Sequence, residues 1–203
     1  MTVLEAWRAG WRAFREHTDV VLFPVLAAAV AWAVAEFAVQ ALIGLVVDDA
    51  GNALAAGVFA FYVLGQLFWA VVVHRALAAL GTPAAPRPLA VLGSALLAGA
   101  GLTLGSALCL LPAVVLAVLG QLTTIILLTE RVDPFTAFGR SVALVVRAPG
   151  PALGFTGLAA LTLLAGLLLG VVGVFPAITV VALAQAQRQR GPWVLSQSTG
   201  PGS

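Results

Sequence analysis

Glu36 is the residue whose type and position most suggest chemistry, because it is the only ionisable side chain well inside the long apolar run Val20 to Val47. A carboxylate in such a run normally faces protein or water and marks a functional site. Gln40 follows one helical turn later on the same face. Gln66, Gln121, Thr123 and Thr124 are further polar side chains within apolar stretches. Glu36, Gln40, Gln66, Gln121 and Thr124 together make a candidate intramembrane polar site, suited to proton or solute handling. The alternative role for Glu36 is a hydrogen-bonded tie between helices.

Other chemistries lack their parts. His17 and His74 are isolated, the single Cys109 excludes an intrachain disulfide, and no Cys, His or carboxylate spacing matches a metal site. No Gly-rich phosphate loop and no nucleophile with a partnering base occurs. The expectation is a non-enzyme with no catalytic residues, no cofactor and no metal.

The elements that must position Glu36 follow from composition. Of 203 residues 62% are hydrophobic and only 9% charged, far from the balance of a soluble domain. The ten arginines against eight acids are too scattered for a nucleic-acid surface. A hydrocarbon core needs about 20 apolar helical residues per crossing. The run 20–47 supplies one crossing and 53–73 a second. Leu89 to Leu128 is 40 residues without a charge and Pro151 to Ala186 is 36, each about two crossings. Pro112 and Pro176 lie inside them, where a proline favours a helix start or break. The expected fold class is all-α, a polytopic six-helix transmembrane bundle of three hairpins. Its spans are about 20–47, 53–73, 89–109, 112–128, 151–170 and 172–187, with the last turn placed near Gly170 to Pro176.

Arginine placement tests this count independently, since loops retained in the cytoplasm carry the excess of Lys and Arg. With six crossings and both termini inside, Arg8, Arg12, Arg15, Arg75, Arg87, Arg131, Arg140, Arg147, Arg188 and Arg190 all fall on the cytoplasmic side. The expected location is the bacterial cytoplasmic (inner) membrane.

Two segments lie along that inner face. In residues 1–19, Val3, Leu4, Trp7, Trp11 and Phe14 recur at helical spacing opposite Arg8, Arg12 and Arg15, the pattern of an amphipathic helix. Such a helix lies flat in the headgroup region, with its arginines attracted to anionic lipid. The other reading is that it packs on neighbouring helices. In 133–148, Asp133-Pro134 starts a second helix, and Phe135, Phe138, Val142 and Val145 make its apolar stripe beside Arg140 and Arg147. The expected lipid-interface residues are Trp7, Arg8, Trp11, Arg12, Arg15, Arg140 and Arg147. Gly101 with Gly105, and Gly166 with Gly170, have the spacing of close helix packing. Residues 188–203 are expected to form a disordered tail.

Three segments carry a resemblance: Glu5 to Arg15 (EAWRAGWRAFR), Leu111 to Ala117 (LPAVVLA) and Glu130 to Ser141 (ERVDPFTAFGRS). The chain resembles the bacterial six-helix family that includes the membrane domain of glycerophosphodiester phosphodiesterases and the YciC-like uncharacterised membrane proteins. In that pattern an aromatic and basic amphipathic helix precedes the first span and a proline opens the fourth. An acidic residue, Pro, Ala and an Arg-Ser pair follow, matched here by Glu130, Pro134, Ala137, Arg140 and Ser141. Ala113 and Val142 stand where the pattern has Gly and an aromatic residue. The resemblance implies the topology and no biochemical activity, and these 203 residues leave no room for a soluble phosphodiesterase domain. The leading functional expectation is an accessory or scaffold protein that binds membrane lipid, anionic lipid in particular, or a membrane-protein partner, a homodimer included, and no nucleic acid. The alternative is a small transporter or permease-like subunit for export of, or self-protection against, a hydrophobic compound.

Overall fold

A computed structural model of the chain describes residues 2–84, 87–108, 110–169 and 171–189. Among them every regular element is a helix: α1 (Val3–Glu16), α2 (Thr18–Val46), α3 (Ala50–Ala79), α4 (Pro88–Leu108), α5 (Leu110–Gly120), α6 (Thr123–Glu130), α7 (Pro134–Arg147), α8 (Pro149–Leu168) and α9 (Val171–Gln189). Cys109, Gly170, Arg190 and most of the expected tail lie outside the described residues.

Five stretches among the described residues are long and apolar enough to cross a membrane: Thr18–Val46, Ala50–Ala79, Pro88–Leu108, Leu111–Glu130 and Pro149–Leu168. Their large apolar side chains point outward; Phe37 is 78% exposed and Leu45 82%. Continuous apolar surface of this kind is a liability in water and is matched by hydrocarbon. A membrane is therefore the solvent these helices suit. The sixth expected span, 172–187, falls within α9, which is not one of the five. Its exposure pattern is the opposite: Thr179, Val180, Ala182, Leu183 and Ala184 are fully buried, as in a helix enclosed by protein.

Four boundaries depart from the sequence reading. The second expected span does not end at 73; α3 carries His74 and Arg75 in its last turns and stops only where Gly81 adopts φ +65. There the Thr82 N–H bonds the Leu77 carbonyl and the Gly81 N–H the Ala78 carbonyl, each at 2.9 Å, a Schellman cap that needs a residue tolerant of the left-handed conformation. The fourth expected span, 112–128, is divided at Gln121 and Leu122 into α5 and α6. Pro176 lies within α9 rather than in the preceding turn. Arg188, expected in a disordered tail, is helical, and its guanidinium lies 5.6 Å from the centre of the Phe155 ring, within cation–π range.

The chain divides into two compact units. One comprises residues 1–25, 72–84 and 148–203. In it α9 packs against α1 and α8, and the core includes Ala6, Val21, Val25, Val72, Val73, Leu77, Phe155 and Leu183. Its α8–α9 hairpin closes on a glycine pair: a Cβ at Gly166 would lie 2.6 Å from the Gly173 carbonyl oxygen, so the two backbones touch as only glycine permits. The other unit comprises residues 26–71 and 85–147. Here α4 packs on α5 through Gly105, where a Cβ would stand 2.8 Å from the Ala113 nitrogen. Leu122, Ile126, Leu127 and Ala137 form a core where α7 covers α6.

Candidate functional site

On α2, Glu36 and Gln40 meet as their i, i+4 spacing requires: the Gln40 side-chain amide donates to Glu36 Oε1 at 2.7 Å. The same nitrogen donates to the Gly57 carbonyl of α3 at 3.0 Å. Gly57 makes the approach feasible, since a Cβ there would come within 2.6 Å of Gln40 Oε1. The second Glu36 oxygen, Oε2, is buried without a hydrogen-bond partner. Gln66, Gln121 and Thr124 therefore do not reach it. Gln66 is half-buried in α3, Gln121 lies in the break between α5 and α6, and Thr124 is buried in the first turn of α6. Of the five polar residues expected from sequence, Glu36 and Gln40 are joined by a hydrogen bond, with Gly57 as an addition.

Trp32 is a second addition. One turn before Glu36, its ring lies 5.9 Å from Phe61, edge to face, and 5.9 Å from Phe68, stacked. The indole N–H is buried and has no acceptor. Four-residue spacing puts Trp32 on the face of Glu36 and Gln40, but the missing acceptor is visible only in the structure.

The second cluster surrounds the α5–α6 break. Interrupting a helix orphans backbone groups that must be paired in an apolar setting. Ser141 of α7, fully buried, donates to the Leu119 carbonyl at 2.6 Å and accepts from the Leu122 N–H at 3.2 Å. Its neighbour Arg140 forms an ion pair with Glu130, and Arg87 donates to the Val132 carbonyl at 2.8 Å. The Glu130…Arg140-Ser141 motif thereby ties α7 to both ends of α6. The stripe expected on α7 is displaced: Ala137, Ser141 and Val145 face protein, whereas Phe135 is 72% exposed and Phe138 37%. Small side chains let α7 approach closely; the Phe135 ring turns outward and the Phe138 ring lies along Gly120 of α5.

Asp133 starts α7 by accepting the Phe135 and Thr136 N–H groups at 3.0 Å each, together with the Thr136 hydroxyl. The Thr136 hydroxyl bond, then the backbone bonds, hold its carboxyl below the ordinary value of 3.8. A lowered folded-state pKa gives stabilisation that is complete above the unfolded value and is lost as pH falls through the folded one. Acidification below the ordinary value should therefore fray the first turn of α7. Amide exchange at Phe135 and Thr136, corrected for its intrinsic pH dependence, should quicken in acid, and Asp133→Asn should remove that pH response. An unchanged acid response in Asp133→Asn would contradict this assignment.

The third cluster is α1. It begins in a capping box, with the Thr2 hydroxyl accepting from the Glu5 N–H and the Glu5 carboxylate from the Thr2 N–H. Ala6, Gly10, Ala13 and Phe14 are buried, and Gly10 sits against the backbone of Ala184 in α9. Of the residues expected at the lipid interface, Trp7 packs edge to face on Phe155 of α8, with ring centres 5.6 Å apart. Trp11 is 49% exposed, and Arg8, Arg12, Arg15, Arg140 and Arg147 are all exposed. The apolar stripe thus divides between a protein face of small residues and an outer edge of Leu4 and Trp11.

The chain matches no protein-family model, no curated protein and no solved structure.

Proposed function

We propose that this is a non-enzymatic membrane protein of the cytoplasmic membrane that holds anionic lipid against the arginine face of α1. The observation that carries this reading is the division of α1 into two working faces. Its small residues dock on α9, so its helix position is fixed by protein packing, while Arg8, Arg12, Arg15 and Trp11 remain exposed. A fixed basic row beside an aromatic ring suits the headgroup region of an anionic leaflet. The reading takes six crossings, with α9 as the last, and both termini in the cytoplasm. It is supported by the charge-free runs and by the position of every arginine on the same side under that count. It also accords with the resemblance to the six-helix family, in which this protein would serve as an accessory or scaffold.

Arginines near an anionic surface contribute about 1 kcal/mol each. Combined Arg8→Gln, Arg12→Gln and Arg15→Gln should therefore weaken retention of phosphatidylglycerol relative to phosphatidylcholine by roughly a hundredfold. Native mass spectrometry of protein released from mixed-lipid nanodiscs reads this directly. Equal phosphatidylglycerol retention by the triple variant and the parent would dispose of the reading.

A further inference from the structure

The geometry points to a binding site for a lipophilic ammonium at Trp32 and Glu36, entered from the bilayer. This goes beyond the lipid reading and does not depend on it. Hydrocarbon offers no water to satisfy a stray polar group, so a polar atom left bare in a spanning helix is costly. Two such atoms occur one turn apart on α2: Glu36 Oε2, an acceptor without a donor, and Trp32 Nε1, a donor without an acceptor. Their Cα atoms are separated by about 6 Å along the helix. The other Glu36 oxygen is already engaged by Gln40, which is itself held by the Gly57 carbonyl. One carboxylate oxygen and one indole N–H are thus left for a ligand.

The complementary ligand has an N–H on a cationic nitrogen for Glu36 and a neutral acceptor for Trp32. Phe61 and Phe68, packed on the Trp32 ring, give it an aromatic wall. Both bare atoms are covered, while Gln40 and the neighbouring Phe37 are exposed on this helix. A ligand therefore comes from the lipid-facing side by displacing the side chains that cover the two atoms, and it must carry an apolar body. A primary or secondary amine with a hydroxyl or carbonyl group near the nitrogen and a long alkyl chain meets all three requirements. A quaternary ammonium keeps the charge and loses the N–H; a fatty alcohol loses the charge.

Modification of Glu36 by the hydrophobic reagent dicyclohexylcarbodiimide, located by peptide mass spectrometry on detergent-solubilised full-length protein, provides the test. N-dodecylethanolamine should protect Glu36 at about tenfold lower concentration than dodecyltrimethylammonium, the factor expected from one charge-assisted hydrogen bond, and dodecanol should not protect. Trp32→Phe keeps the ring stack and removes the N–H; it should bring protection by N-dodecylethanolamine down to that by dodecylamine. Native mass spectrometry gives a second reading, in which Glu36→Gln should lose N-dodecylethanolamine adducts about tenfold by the same loss of charge. Equal protection by all these amphiphiles, no labelling of Glu36 at all, or unchanged adducts on Glu36→Gln would each overturn the assignment.

Discussion

Gly10→Leu should unseat α1 from α9 and lower the thermal unfolding midpoint. A Cβ at position 10 would lie 2.6 Å from the Ala184 nitrogen, 2.7 Å from its Cα and 2.8 Å from its Cβ. Two of these are backbone atoms of a buried helix, so no side-chain rotation relieves the clash, and α1 must move bodily. Overpacking a close-packed contact costs about 1–3 kcal/mol, and a leucine in a backbone-to-backbone contact belongs at the upper end. Gly139→Leu is the matched control. Gly139 is also helical, yet nothing stands within 4 Å of its Cβ position. There the gain in helix propensity, about 1 kcal/mol or less, should leave the midpoint unchanged or raised. Tryptophan fluorescence during heating measures both, and limited proteolysis should show α1 cleaved in Gly10→Leu only. Equal midpoints for the two variants would contradict the packing of α1 on α9.

Ser141→Ala should be the most damaging loss of one hydroxyl. The Ser141 side chain answers the Leu119 carbonyl and the Leu122 N–H at once, and both belong to a helix break with no bulk water to replace it. Each orphaned buried group costs about 1–3 kcal/mol. Thr162→Ala is the comparison: its hydroxyl bonds the Leu158 carbonyl one turn back in the same helix. Such i−4 bonds contribute little to helix stability. Ser141→Ala should lower the unfolding midpoint by several degrees and abolish exchange protection at the Leu122 amide, with Thr162→Ala close to the parent. A protected Leu122 amide in Ser141→Ala would show that the break is paired by something else.

These two residues also mark the limit of what the chain of letters discloses. Apolar runs, arginine placement and the two amphipathic segments are one-dimensional properties, and each can be read from order and spacing alone. The division of 112–128 into α5 and α6 is of another kind. Gly120 is the only local signal, and the break persists because a side chain 22 residues from Leu119 satisfies it. The docking faces of α1 and α7 were obscured for a related reason. Hydrophobic periodicity gives most weight to the large residues, Trp11 in one helix and Phe135 in the other, whereas contact is made by Ala6 and Gly10 in the first and Ala137 and Ser141 in the second. Periodicity cannot separate a lipid-facing ring from a protein-facing alanine.

At the polar site, Glu36 and Gln40 were legible from type and spacing. Gly57 was not, because its part is to supply a carbonyl and to lack a side chain. Trp32 reads as one more apolar residue until its N–H is seen to be buried without an acceptor. Polarity alone groups Gln66, Gln121 and Thr124 with Glu36, and polarity carries no information on distance.

Six crossings with both termini inside require all ten arginines on one side of the bilayer, and reagent access from outside intact cells measures this. The single Cys109 allows a Cys109→Ser background in which Thr2→Cys, Asn52→Cys and Ser196→Cys are each exposed to a membrane-impermeant maleimide. Asn52→Cys should be labelled in intact cells, and Thr2→Cys and Ser196→Cys only after permeabilisation. Labelling of either terminal cysteine in intact cells would contradict that arrangement.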